Sequence, residues 1–208
     1  MHYDAAWHDT VTLRHGLKVE LRLLRPEDKS ALSEAFQRLS PTARFQRFHA
    51  WKDHLTPADL RYLTELDGVH HLAIVALRPH DRQGLGVARF VELAPGLAEP
   101  ALVVSDEAQG QGLGRLLLEH LMAAARERGI HRFRFEVLAD NAPMLRMLHD
   151  LSPDVTELCD GPEVSLELPI DLHPTGVRKL LELAGRGLVL VLQGTRWNRS
   201  GTPVETPR

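Results

Sequence analysis

Residues 103–117 read Val-Val-Ser-Asp-Glu-Ala-Gln-Gly-Gln-Gly-Leu-Gly-Arg-Leu-Leu. An apolar strand runs into a glycine-rich turn, and the turn opens straight into a long amphipathic helix. Any fold of this chain must therefore set a helix start at the end of a strand. The first N–H groups of a helix have no partner inside it, and the helix dipole adds positive potential there. Such a junction is a seat for a phosphate or a diphosphate.

Spacing excludes two nucleotide loops. A Walker-type loop needs Gly-Lys followed by Ser or Thr, and no lysine occurs in this turn. A dinucleotide fingerprint needs G-x-G-x-x-G, which would put glycine at Arg115 or at Leu117. What remains is Gln109-x-x-Gly112-x-Gly114, after a Val-Val strand and before Leu116, Leu117 and Leu118. This pattern resembles motif A of the GCN5-related N-acetyltransferases (GNAT). The resemblance implies acetyl-CoA as cosubstrate, with Gln109, Gly110, Gln111, Gly112, Leu113, Gly114 and Arg115 around its diphosphate. Glycine suits such a turn because a side chain keeps the phosphate from the backbone.

The chain has 208 residues, 43% hydrophobic, with a net charge of -3. That length suits one ordinary domain plus an extension. The near-neutral charge argues against nucleic acid as a partner. The single cysteine, Cys159, rules out an intrachain disulfide and a cysteine-rich metal site. Residues 1–10 lack the apolar run of a signal peptide, and no stretch is apolar for long enough to span a bilayer. A cytoplasmic protein without a membrane segment is expected.

Alternation over Val19–Leu24 predicts a strand. Arg25-Pro26-Glu27-Asp28 begins a helix that carries Leu32, Ala35, Phe36 and Leu39; a second helix carries Phe45 and Phe48, and a third runs from Thr56-Pro57 to Asp67-Gly68. Strands follow at His71–Leu77, Gly84–Leu93 and Ala98–Val104. The helix behind the glycine turn runs from about Gly112 to Arg128, with Gly129 as its cap. A strand at Arg132–Leu138, a helix at Asn141–Leu151 and a hairpin of Val155–Leu158 with Val164–Leu168 close the pattern. Adjacent strands exclude a pure doubly wound fold. The expected class is α/β (α+β), and the order is that of the GNAT fold: a mixed, mostly antiparallel sheet flanked by helices. Residues 1–170 form this domain. Residues 171–208 form an extension with a helix at Val177–Leu183, an apolar strand at Gly187–Gln193 and a disordered tail from Asn198. The run Gly187-Leu188-Val189-Leu190-Val191-Leu192 is too apolar for a free edge and is expected to pack on its own core or on a second copy.

Leu23-Leu24-Arg25-Pro26-Glu27-Asp28, Leu39–Phe48 and Gly86-Val87-Ala88-Arg89-Phe90 add a closer resemblance, to the acetyltransferase domain of bacterial protein lysine acetyltransferases. Some of those carry a fused cyclic-nucleotide-binding or acyl-CoA synthetase-like region, for which this chain has no room. The resemblance implies that pantetheine pairs with the exposed backbone of the strand before the turn as an added strand would, which places Leu102, Val103 and Val104 beside it. An N–H near Val104 polarises the thioester carbonyl. Glu99 falls where those enzymes carry their general base, with Glu92 and Asp106 as alternatives. The following Pro100 departs from the pattern and marks an edge or bulge. Asn141 matches a family asparagine near the pantetheine, and is equally placed to cap a helix. Leu148 stands where many relatives have a tyrosine acid, and Ser152-Pro153 replaces the usual Gly-Phe. In the family the segment after the first strand borders the acceptor cleft, so the resemblance implies a role for Arg44 and Arg47 in substrate choice. His70-His71 makes a poor chelate, because neighbours on a strand point to opposite faces; no metal is expected.

The function implied is acetyl transfer to a primary amine, on a protein lysine or a small molecule. The alternatives are a non-catalytic acyl-CoA-binding or sensing module, or an assembly protein that forms a homodimer through its C-terminal extension.

Overall fold

The structure is a computed structural model, and it describes residues 3–48, 50–152, 155–160, 162–170, 196–197 and 203–204. The chain divides into two compact units, Met1–Ile170 and Asp171–Arg208. In the second unit, Arg196–Trp197 pairs antiparallel with Pro203–Val204. The helix expected at 177–183 and the strand expected at 187–193 lie outside the described residues, as does most of the tail.

The first unit holds strands β1 (His8–Thr12), β2 (Lys18–Leu23), β3 (His71–Leu77), β4 (Gly84–Ala94), β5 (Leu97–Val104), β6 (Arg132–Leu138), β7 (Thr156–Asp160) and β8 (Glu163–Pro169), and helices α1 (Lys29–Arg38), α2 (Pro41–Phe48), α3 (Pro57–Thr64), α4 (Leu113–Arg126) and α5 (Ala142–Leu151). The eight strands form one sheet in the order β1-β2-β3-β4-β5-β6-β8-β7. All neighbours are antiparallel except β5 and β6.

Register sorts the side chains onto two faces. Ala88, Phe90, Ala98, Phe133 and Phe135 join one core with Leu113, Leu117, Leu118 and Leu121 of α4. These leucines recur at helical spacing, and each fully buried one contributes about 1.5–3 kcal/mol. Val75, Leu77 and Val87 turn to the other face, with Val103 packed beside them. Val103 also meets the cluster built from α1–α3, which includes Phe36, Leu39 and Leu63. β3 is buried almost throughout because it is covered on both faces.

The parallel pair stops after two rungs. Leu97 pairs with Arg132 and Ala98 with Phe133, and no further pairing follows. β5 meanwhile stays paired with β4 to Val104, and β6 with β8 to Leu138. The cause is local. Arg132 N–H donates to the Gly96 carbonyl. In this phase the next rung requires the N–H of residue 100 to donate to the carbonyl of Arg134. Pro100 stands there without an N–H, and the ladder ends at that point. The proline expected to mark an edge thus sits inside the sheet, with its missing donor on the side that opens.

Candidate functional site: a glycine turn, an open strand edge and a helical face

The turn comes first. Gly110 and Gly112 have φ of +71° and +90°, and Gly112 is the residue from which α4 starts. Left-handed backbone of this kind favours glycine. A Cβ at either would meet nothing within 4 Å, so conformation and not crowding requires glycine there. Gly114 differs: a Cβ there would touch Leu102, Val104 and Met147 at 3.5–3.7 Å, seating the first turn of α4 against β5 and α5.

The backbone N–H groups of Gly110, Gln111, Gly112, Leu113, Gly114 and Arg115 donate to no protein acceptor among the described residues; the first bond into α4 is Leu116 N–H to the Gly112 carbonyl. The turn is exposed at Gly110 and Gly112. Six free donors at the positive end of a fourteen-residue helix fit a diphosphate. Side chains brace the turn instead of pointing into it. Gln109 donates to the Val104 carbonyl and to Asp106, both at 3.1 Å, and Gln111 donates to the Glu107 carbonyl at 2.8 Å. Arg115 pairs with Glu119 at 2.8 Å along the outer face of α4.

The open edge of β5 comes second. Ser105 N–H donates to the Leu85 carbonyl of the neighbouring strand at 2.8 Å. Alternation along an antiparallel pair then turns the backbone of residues 101 and 103 toward β4, and that of 100, 102 and 104 toward the diverging side. Leu102 and Val104 therefore present N–H groups to the cleft between β5 and β6. Val103 does not share this arrangement: its backbone is committed to β4 and its side chain lies on the α1–α3 face.

Asn141 caps α5, accepting from Met144 N–H at 3.3 Å. Leu148 is fully buried in the α4-side core. Ser152 donates its N–H to the Leu148 carbonyl at the end of α5, and Pro153 lies outside the described residues.

Glu99 is exposed, on the α1–α3 face of β5, opposite Val91 and diagonal to Arg89 of β4. The fallback carboxylates are engaged elsewhere. Glu92 accepts from Gly96 N–H and bonds His70 at 2.5 Å, and the His70 bond holds its carboxyl below the ordinary range. Asp106 accepts from Gln109 and from the Ser40 hydroxyl.

Around Glu99 the structure assembles residues that spacing does not reveal. Arg89 is 3% exposed; it donates to the Leu63 carbonyl at the end of α3 and approaches His71 at 3.3 Å. Tyr62 lies beside His71 with ring centroids 5.1 Å apart and the rings tilted by 47°. Arg47 lies over the Phe48 ring at 4.9 Å. Burial lowers Arg47 from the usual arginine range, opposed by the charge of Glu99. Arg44, by contrast, ties down the end of α1 through the carbonyls of Gln37 and Leu39, and reaches that of Asp53. The one legible sign of Arg89 was a charge set inside the apolar run Val87-Ala88-Arg89-Phe90-Val91. Among the described residues, no three His, Cys, Asp or Glu side chains gather in a metal-binding group, and no helix is long and apolar enough to cross a membrane.

Comparison with known proteins matches this geometry. Residues 25–151 fit the model of the acetyltransferase (GNAT) family. An acetyltransferase of Pseudomonas aeruginosa is 33% identical over 128 residues, which cover 60% of this chain and 69% of that protein. Acetyltransferase Pat of Mycolicibacterium smegmatis is 31% identical over 143 residues, 68% of this chain but only 43% of that protein. Among solved structures, the GNAT domain of S. lividans PAT superposes with a TM-score of 0.73 at 30% identity, covering 81% of this chain and 99% of that domain. The Salmonella typhimurium putative acetyltransferase yncA, solved with acetyl-CoA, shares the fold with a TM-score of 0.58 at 21% identity, covering 74% of this chain and 95% of that one. The chain belongs to the acetyltransferase (GNAT) family.

Proposed function

We propose that this protein moves an acetyl group from acetyl-CoA to a primary amine, on a protein lysine or a small molecule, by direct attack of the amine on the thioester. The observation that carries this reading is the set of six unpaired N–H groups from Gly110 to Arg115 beside an open strand edge. When bound, acetyl-CoA supplies an activated acetyl thioester. The turn binds the diphosphate, and the cleft-facing backbone of Leu102 and Val104 orients the arm. The Val104 N–H donates to the carbonyl oxygen as it gains charge.

Glu99 is the general base. An alkylamine has a reference pKa of about 10.4 and arrives protonated at neutral pH. A carboxylate at the acceptor face takes that proton, directly or through water, and its exposure gives the proton a path to solvent. No tyrosine stands at residue 148 to return a proton to the thiolate. A thiol of pKa about 8.5 is a tolerable leaving group without one.

A second reading, a non-catalytic acyl-CoA-binding or sensing module, is favoured by the buried Leu148. Glu99→Gln separates the two. In the enzyme it lowers kcat by about 10²–10⁴-fold while the acetyl-CoA-induced rise in Tm is retained. In a sensing module no amine releases thiol from acetyl-CoA, and the substitution changes nothing. A cytoplasmic setting, and pairing of two copies through residues 187–192, complete the proposal. An equilibrium sedimentation run checks the pairing.

A further inference from the structure

Beneath α1–α3 lies an open-mouthed pocket. Its walls are mostly apolar, with Phe36, Leu63, Val75 and Val103 among them, yet Arg47 and Arg89 also line it. A guanidinium in an apolar cavity is costly without an opposite charge. Arg89 has none at hydrogen-bonding distance. Its described partners are a backbone carbonyl and an imidazole, both neutral acceptors. Arg47 makes no hydrogen bond among the described residues; it lies over the Phe48 ring, and the charge of Glu99 acts on it without a hydrogen bond.

The acidic groups nearby do not fill the gap. Asp28 lines the cavity, but both its oxygens are taken by Arg22 at 2.7 Å. Glu99 faces Arg47 from β5, on the open side. Tyr62 approaches from α3 and His71 from β3, and His71 is itself pushed down to about 4 by burial and by Arg89, so it is neutral at pH 7. Burial, then the charge of Arg47, push Arg89 down to about 9, which leaves it a cation at neutral pH without an anion.

We infer that the acceptor amine carries a carboxylate on an apolar chain, and that Arg47 and Arg89 receive this carboxylate while the amine lies toward Glu99. Glu99 and Arg89 are diagonal neighbours on one sheet face, a spacing of about 7–8 Å between Cα positions. A single extended molecule spans that distance. Guanidinium groups suit the role because their fixed fork matches a carboxylate. The apolar walls adjoin the two arginines. The inference rests on the acetyl-transfer reading and narrows its acceptor.

The test uses ω-amino acids of graded chain length and their carboxamides. Each pair keeps the amine and the chain and differs only in the charge at the far end. Thiol release gives kcat/KM for each, and calorimetry gives binding of each to the protein loaded with coenzyme A. The acid is expected to be preferred over its amide by about tenfold or more at the fitting length, in both measurements. Arg47→Gln is expected to bring that ratio toward one. Arg47→Lys restores part of it, which mere loss of packing would not do. Equal handling of acid and amide at every length overturns the inference, as does a preference that Arg47→Gln leaves intact. Acetylation confined to protein lysines overturns it too. Thiol release over a wider amine panel keeps the two levels apart: if any other amine is acetylated, only the acceptor inference has failed, and if none is, the transfer reading itself has failed.

Discussion

His70 and His71 are neighbours in sequence and respond to protons in opposite ways. His71 is held at about 4 by burial, then by Arg89, against a reference of about 6.5. Below that reference the unfolded chain takes up a proton that the folded chain refuses. Stability therefore falls as pH drops from about 6.5 toward 4 and levels off beneath, by an amount on the order of 1–2 kcal/mol at pH 5. His70 is raised by its bond to Glu92. Its contribution is fully present below its unfolded pKa and is lost as pH rises through the raised folded value. Urea unfolding of the two single variants between about pH 7.5 and 5 separates them. His71→Gln is expected to flatten the acid-side loss, and His70→Gln to deepen it. An unchanged slope for His71→Gln would contradict the placement of His71 against Arg89.

At the scale of elements, the cleft opens where Pro100 has no N–H to offer β6. Pro100 ends the β5–β6 ladder after Ala98. Pro100→Ala supplies the donor that the Arg134 carbonyl lacks. One such bond is worth about 0.5–1.5 kcal/mol net. The variant is expected to hold its Tm or gain slightly while KM for acetyl-CoA rises by up to about tenfold, because strand closure now competes with the arm of the ligand. A KM left unchanged would assign the divergence to something other than the proline. Most elements were legible from periodicity, and His71–Leu77 and Arg132–Leu138 match the expected spans at both ends. The first strand, His8–Thr12, was not read. Its burial alternates only between exposed and half-buried, so it lacks the apolar face that periodicity detects. It is stabilised by pairing with β2 at the sheet edge, which is a tertiary effect.

At the scale of the whole molecule, the sheet separates two tasks. Its α4 side and the open β5 edge carry the candidate cosubstrate site, and its α1–α3 side carries the candidate acceptor site. The first was legible because glycines of positive φ and a following amphipathic helix are local signals. The second was only half legible. Glu99 follows from its place in a motif, but Arg89 acquires meaning only when α3 and β3 close over it. Asn141 was open to two uses by sequence; its Oδ1 makes the helix cap, and its amide N–H groups are not part of that bond. The central claim is that main-chain donors at the start of α4 hold a diphosphate. Amide NMR of the full chain tests it most directly, with coenzyme A compared against S-acetylpantetheine, which lacks the diphosphate. The N–H resonances of Gly110 to Arg115 are expected to move with coenzyme A and stay in place with S-acetylpantetheine, whereas those of Leu102 and Val104 move with both. Saturable binding of coenzyme A with the Gly110–Arg115 resonances unmoved would contradict the account.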